Sequence, residues 1–420
     1  MDFPYKKMFS PYRLTDTVTL KNRVTFPNGQ HAQSQGPETW PSEVQIAEMA
    51  DFCTGASLMC FGHFGKFGGG AVGNRSIGEE KDKSHIPIYD YEDPAVQNYL
   101  CQLAALAHMY GTKLLVRLGA SFPKGCTYGG GDARSLFPLP EGVSFMTWSF
   151  SAAAKNLTRE QMLARVCPKE KIKEAIDDLV AMCKKYKKWG WDGMSFRVDR
   201  YIDADTNLRT DEYNGEIEDR GRFVHELFTA IKKEVGQDFL IEAVLMGKSD
   251  HGHDYDLPHG YTQEEAIRLA KMIEGVVDIF QIREETGAGY QNGCYNSKHG
   301  EHKTLDYCRA MKEAGVKSTI AANTGFMDAQ DIENALESGV CDLVSTARTF
   351  IADPQFMQKT ASGTESPTPC LRCNKCHGRG KHDIMTTVCS VNPKFGFEAV
   401  DRYLASPVTK VKDIAIIGGG

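Results

Sequence analysis

A unit repeated along the chain constrains the fold more than any other feature: an amphipathic helix, a glycine, then a short apolar stretch. The clearest copies are AIDDLVAMCKKYKKWG followed by WDGMSF, and FVHELFTAIKKEVG followed by DFLIEAVLM. Three more follow: AIRLAKMIEG with VVDIFQI, LDYCRAMKEAG with VKSTIAAN, and DIENALESG with VCDLVSTA. Two earlier copies end at Gly55 (then ASLMCFG) and Gly111 (then TKLLVRLG). In the third copy Ile172, Ile176, Leu179, Val180 and Cys183 recur at helical spacing, which predicts one buried face. Gly55, Gly111, Gly190, Gly236, Gly275, Gly315 and Gly339 stand where the helices stop, which predicts left-handed caps. The apolar stretches are mostly continuous, as in parallel strands buried on both faces. Seven units and an opening strand in KNRVTFPN make eight strands joined by helical crossovers. Eight strands close a (β/α)8 TIM barrel, an α/β fold of about 250 residues or more. An open, doubly wound sheet is the rival, and the strand count favours the barrel.

Composition narrows the function classes. With 420 residues, net charge −6 and 25% charged residues, the chain has an ordinary globular profile. No apolar run reaches the about 18 residues of a bilayer span, and MDFPYKKMFSPYRL lacks the apolar core of a secretory signal. A cytoplasmic protein with no membrane partner is expected. The slightly acidic balance, without a long basic block, gives no electrostatic reason for nucleic acid. Thirteen cysteines, an odd and unevenly spread count, fit reduced thiols or metal ligation better than disulfides.

In a barrel the active site lies at the carboxyl ends of the strands. The residues there are Pro27-Asn28-Gly29-Gln30, Phe61-Gly62-His63, Arg117-Leu118-Gly119, Arg197 to Tyr201, Leu245-Met246, Arg283-Glu284, Asn323-Thr324-Gly325 and Ala347-Arg348. Arginines dominate and paired carboxylates are scarce, which disfavours acid-pair hydrolysis. The last two ends form the place where this fold commonly holds a phosphate. There Arg348 would supply the fork and Asn323, Thr324 and Gly325 a close backbone approach. A salt bridge closing the barrel is the alternative role for Arg348.

Beyond Asp353-Pro354 a polar connector, ASGTESPTP, leads to CLRCNKCHGRGKHDIMTTVCSVNP. Cys370, Cys373, Cys376 and Cys389 suggest a metal or an iron–sulfur cluster, and the tight C-x2-C-x2-C spacing is more typical of 4Fe–4S than of zinc. The final VKDIAIIGGG reads as a strand entering a glycine turn, the way a dinucleotide-binding unit opens. The expected organisation is therefore a barrel over residues 1–362, a cysteine-rich module over 363–410, and over 411–420 the first strand of a truncated FAD/NAD(P)-binding domain.

Four segments in order, MFSPYRL…TLKNRVTFPN, NLRTDEYNGEIEDRGRF, STARTFIADP and the cysteine module ending in CSVNP, carry a resemblance. The chain resembles the Old Yellow Enzyme superfamily, in particular its multidomain 2,4-dienoyl-CoA reductase-like branch with the bile-acid and flavonoid reductases. The resemblance implies FMN in the barrel, bound by Pro27, Asn28, Gly29, Arg117, Asn323, Thr324, Gly325, Ala347 and Arg348, and a 4Fe–4S cluster on the four cysteines. It also implies electrons from NAD(P)H by way of FAD, and hydride transfer to an activated C=C bond of a small unsaturated carbonyl compound. A steroid or bile-acid enone, a flavonoid and an enoyl thioester are the substrate classes; a homo-oligomer is compatible with the family. The other functions it leaves open are an amine or other donor dehydrogenase and a non-catalytic flavin electron-transfer module. A chain that ends at IIGGG is expected to hold FMN and the cluster but to take electrons poorly from NAD(P)H.

The chain departs from the family pattern at three points. The histidine pair expected after the fourth strand is replaced by Arg197-Val198-Asp199-Arg200-Tyr201, with Tyr201 the candidate proton donor and Arg197 or Arg200 the clamp on the substrate oxygen. Arg117 stands where the family usually has glutamine, and Val244 where it usually has arginine, so the cation beside the flavin is expected to have moved from the fifth strand to the third. The Pro27–Gln30 stretch has no cysteine, which argues against a covalently attached flavin and modestly against amine oxidation.

Overall fold

The computed structural model describes residues 4–29, 34–35, 40–41, 43–62, 91–120, 122, 126–130, 158–204, 206–249, 260–283, 302–323, 325–373, 376, 388–399, 413 and 415. Its centre is a closed barrel of eight parallel strands. In chain order these are β1 (Val24–Gly29), β2 (Leu58–Gly62), β3 (Lys113–Leu118) and β4 (Gly193–Arg197), then β5 (Leu240–Met246), β6 (Ile279–Arg283), β7 (Thr319–Asn323) and β8 (Leu343–Ser345). Each strand pairs with the next, and β8 returns to β1 through Val344 beside Val24 and Ser345 beside Thr25. The open-sheet alternative is thereby excluded.

Helices α1 (Glu43–Cys53), α2 (Pro94–Met109), α3 (Glu170–Lys188), α4 (Ile217–Glu234), α5 (Gln263–Ile273), α6 (Lys303–Glu313), α7 (Ala329–Glu337) and α8 (Phe356–Ser362) follow the strands. Helix α3 buries Ile172, Ile176, Leu179, Val180 and Cys183, the face expected from their spacing. Starts are fixed locally. Asp93 accepts from the Ala95 amide ahead of Pro94, and Thr262 and Glu265 form a capping box at α5. Ends are fixed by glycine at five of the seven expected positions, Gly111, Gly190, Gly236, Gly315 and Gly339, all with positive φ. Gly55 departs from the expectation and has a different reason to be glycine. A Cβ there would lie 2.8 Å from both Met357 Cγ and Phe350 Cε1, so contact with the last turn of the barrel excludes a side chain. Gly275 has neither a positive φ nor a close neighbour, and nothing in the structure explains it.

The strands bury two different faces. Outward residues such as Phe26, Met59, Val116, Phe196, Ile241 and Phe280 pack against the helices. Inward, Leu58, Leu115, Leu240, Ile279, Ala321 and Leu343 form an apolar layer at the amino-terminal end, where Val18 and Leu20 close the barrel floor. Two residues further along most of these strands the interior becomes polar, which positions the site described below.

Helix α8 ends at Ser362, and Gly363 caps it with φ 64°. The segment beyond docks on the barrel: Thr368 N donates to Asp353 Oδ2 at 2.8 Å, Asn392 Nδ2 donates to Ile351 O at 2.9 Å, and Phe395 is buried. Apart from 413 and 415, the proposed dinucleotide strand at 411–420 lies outside the described residues. Among the described residues no helix is long and apolar enough to cross a membrane.

Candidate active site

The carboxyl-terminal half of the barrel interior carries a chain of hydrogen bonds across five consecutive strands. Arg117 Nη1 on β3 donates to Ser195 Oγ on β4 at 2.9 Å, and Ser195 Oγ donates to Glu242 Oε2 on β5 at 2.5 Å. From the other side Gln281 Nε2 on β6 donates to Glu242 Oε1 at 3.0 Å, and Asn323 Nδ2 on β7 donates to Gln281 Oε1 at 3.0 Å. Thr25 and Ser345 share a hydrogen bond of 2.7 Å where β1 meets β8. Strand alternation explains the arrangement, since residues two apart share a face and the polar set lies one step above the apolar layer.

Burial lowers the Arg117 guanidinium to about 10, with Cys60 and Glu242 opposing the fall and the Arg197 and Arg283 charges adding to it. It remains a cation at neutral pH. Among the described residues its buried guanidinium makes one hydrogen bond, the one to Ser195, which uses one of its five donors. Burial raises the Glu242 carboxyl, while the Ser195 hydrogen bond, the Arg117 charge and the Gln281 amide pull it down. Val244, buried on β5, pairs with Arg197 on β4 and with Gln281 on β6.

After β4 the chain turns into a short helix, Asp199–Ile202. Arg197 grips Asp199 with both arms of its fork, Nη2 to Oδ2 at 2.5 Å and Nε to Oδ1 at 3.4 Å. The Arg200 side chain lies outside the described residues. Tyr201 is buried in an aromatic cluster, stacked on Phe196 at 5.1 Å, edge-on to Tyr128 at 5.2 Å and tilted against Phe223 at 4.9 Å. Its hydroxyl accepts from the Ala120 amide at 3.2 Å, which ties it to the loop leaving β3. Tyr128 brings a second phenol into this cluster, and its buried hydroxyl finds no hydrogen-bond partner among the described residues. Burial pushes that phenol far above its ordinary range.

At the last two strands Gly325 has φ 84°, a backbone geometry that a side chain would strain. Thr324 and the side chain of Asn28 are outside the described residues, while Pro27 is buried and Ala347 packs against the core. Arg348 is buried at the start of a short helix, Arg348–Ala352, where its charge lowers the Cys370 and Cys376 thiols against the upward push of burial. The Cys370 and Cys376 thiols each feel Cys373 and Cys389. Arg372, between two of the cysteines, holds a left-handed φ of 54°. It donates its amide to Cys370 Sγ at 3.3 Å and Nη2 to Gly325 O at 3.1 Å. Such an amide-to-sulfur contact suits a thiolate ligand. Even so, among the described residues no three of these side chains close on a common point that would hold a metal ion.

The carboxyl-terminal end of this closed eight-stranded barrel, cationic and hydrogen-bonded, suits an anionic cofactor, and it is the end where this fold commonly binds its ligands. The chain belongs to the NADH:flavin oxidoreductase / NADH oxidase family, whose profile matches residues 103–366. Its barrel is thus of the Old Yellow Enzyme type, and the donors of Arg117 beyond the one on Ser195 fit FMN, the cofactor of that family. Among curated proteins it is 26% identical over 343 residues to cinnamate reductase of Clostridium sporogenes, covering 76% of this chain and 48% of that protein. It is 24% identical over 338 residues to N,N-dimethylglycine/sarcosine dehydrogenase of Chromohalobacter salexigens, covering 76% and 45%. The chain thus spans about half the length of these relatives. Among solved structures, a 2-naphthoyl-CoA reductase bound to 2-naphthoyl-CoA superposes with TM-score 0.75 at 20% identity, covering 97% of this chain and 60% of that one. Histamine dehydrogenase from Rhizobium sp. 4-9 gives 0.69 at 18%, covering 94% and 53%. These likenesses establish a shared fold.

Proposed function

We propose that this chain is the FMN-binding barrel of an ene-reductase that reduces a C=C bond conjugated to a carbonyl group. The observation that carries the reading is the cationic mouth, where Arg117 is held by Ser195 and flanked by the charges of Arg197 and Arg283. FMN would be held by Arg117 at its pyrimidine edge and by Asn323, Gly325, Ala347 and Arg348 at its phosphate; when reduced, it supplies hydride to the substrate carbon. Arg197, locked by Asp199, is assigned the carbonyl oxygen, on which charge grows during the reaction, with Arg200 beside it in the chain. Tyr201 is assigned the proton delivered to the neighbouring carbon. The similarity to a cinnamate reductase favours an aryl enoate over the larger steroid and flavonoid enones. We further assign Cys370, Cys373, Cys376 and Cys389 to a 4Fe–4S cluster, with electrons drawn from NAD(P)H by way of FAD. Iron and sulfide analysis of anaerobically purified protein tests that assignment, and protein containing neither would remove it.

A second reading, oxidation of a secondary or tertiary amine, is favoured by the similarity to N,N-dimethylglycine/sarcosine dehydrogenase. Anaerobic mixing separates the two. Protein reduced beforehand and mixed with cinnamate regains its oxidised flavin absorbance under the first reading. Oxidised protein mixed with sarcosine or dimethylglycine loses that absorbance under the second.

A further inference from the structure

We infer that Glu242 is the positioning residue for Arg117, acting through the Ser195 hydroxyl; this rests on the reading of Arg117 as the cation beside the flavin. A carboxylate inside the apolar strand LIEAVLM needs a reason, because a buried charge without partners is among the costliest features a core can contain. Here both oxygens are used, and from opposite sides. Oε2 accepts from Ser195, whose oxygen in turn accepts from Arg117; Oε1 accepts from Gln281, whose own oxygen accepts from Asn323. Every donor in the chain points toward Glu242, so the one carboxylate sets the orientation of a hydroxyl, two amides and a guanidinium on four neighbouring strands.

The consequence falls on Arg117. Its charge is opposed by Arg197 and Arg283, and Glu242 is the carboxylate that offsets them. Anchoring one guanidinium nitrogen through Ser195 holds the fork against β4 and leaves its other N–H groups for a ligand. Without the relay the like charges would push the fork away from that pose. Val244 shows why such an anchor is required: a cation on β3 reaches the same region from two strands away and needs a fixed point on β4 between them.

The test titrates FMN into flavin-depleted protein and measures the flavin midpoint potential for wild type, E242Q, S195A, R117Q and the R117Q/E242Q double variant. Hydrogen bonds to charged groups predict FMN binding weakened about ten- to hundredfold in E242Q and in S195A, with the potential lowered in both. In the R117Q background, E242Q should change neither readout further, because its effect passes through the missing guanidinium. The positioning role is overturned if E242Q leaves affinity and potential at wild-type values, or shifts them by the same factor with and without Arg117. Should E242Q fail to fold, S195A, which removes a single hydroxyl, decides by the same comparison with R117Q/S195A. R117Q without effect on either readout overturns the flavin reading of Arg117 and this inference together. An effect of R117Q with none from E242Q or S195A overturns this inference alone.

Discussion

The two halves of the barrel interior are built from the same strands and differ in almost every residue. At the amino-terminal end Leu58, Leu115, Leu240 and Ile279 meet in an apolar layer sealed by Val18 and Leu20. Two residues later three of these strands present Arg117, Glu242 and Gln281, tied by hydrogen bonds and charge. Apolar burial favours folding by about 25 cal/mol per Å2 and needs no exact partner, whereas buried charges cost stability unless every partner is in place. The lower half therefore holds the barrel closed. The upper half gives up some of that stability for a fixed cationic mouth.

Substitutions on the two sides should separate accordingly. The largest expected effect is above the belt: Tyr201→Phe keeps the ring packing and loses only the hydroxyl, so stability and flavin reduction should hold. C=C reduction should slow by about 10²-fold or more, read by stopped-flow reoxidation. Equal rates in the two proteins would return Tyr201 to a packing role. Next, Leu240→Ala in the lower layer should cost about 2–5 kcal/mol in denaturant unfolding and leave FMN affinity intact under folding conditions. A flavin defect without loss of stability would erase the division between the halves. Third, Arg117→Gln should weaken FMN binding and lower the flavin potential, with a melting temperature within a few degrees of wild type. A large stability loss with normal flavin binding would make Arg117 a strut rather than a ligand.

The smallest effect sharpens the contrast between two buried carboxylates. Glu242 has side-chain donors on both oxygens; Glu398, in the docked carboxyl-terminal segment, accepts from the backbone amides of Gly396 and of Glu398 itself. Burial and then the Glu48 charge push Glu398 up to about 7 from an ordinary 4.5. The folded protein then holds this proton more tightly than the unfolded chain. Its contribution to stability is favourable at low pH and is lost as pH rises from about 4.5 to about 7. Glu398→Gln should therefore raise the melting temperature above about pH 7 and change it little below about pH 4.5. A variant no more stable at either end would show that the Glu48–Glu398 approach is without energetic weight.

Much of the barrel could be read from the chain because the helix–glycine–strand unit is local and repeats, and five of its glycines have the expected left-handed cap. Strand-end residues were equally legible, since one step past each apolar run is where the mouth must lie, and Arg117, Arg197 and Arg348 are found there. The interior belt was not. Strands buried on both faces lack the alternation that would separate inner from outer positions, so Ser195, Glu242 and Gln281 read as isolated polar residues in apolar runs. The usable signal was their recurrence at matching positions in consecutive strands. Tyr201 shows a different limit: its neighbours Tyr128 and Phe223 come from distant segments, and only the closed barrel brings them together. Gly55 looked like a cap because its reason for being glycine, Met357 and Phe350, lies some 300 residues away.

FMN titration of wild type beside Arg117→Gln tests most directly the proposal that the upper half of the barrel is a flavin seat whose cation is Arg117. Saturable, one-to-one binding by the wild type, weakened at least tenfold in a variant that melts like the wild type, is the predicted result. No saturable binding, or the same affinity in both proteins, would contradict it.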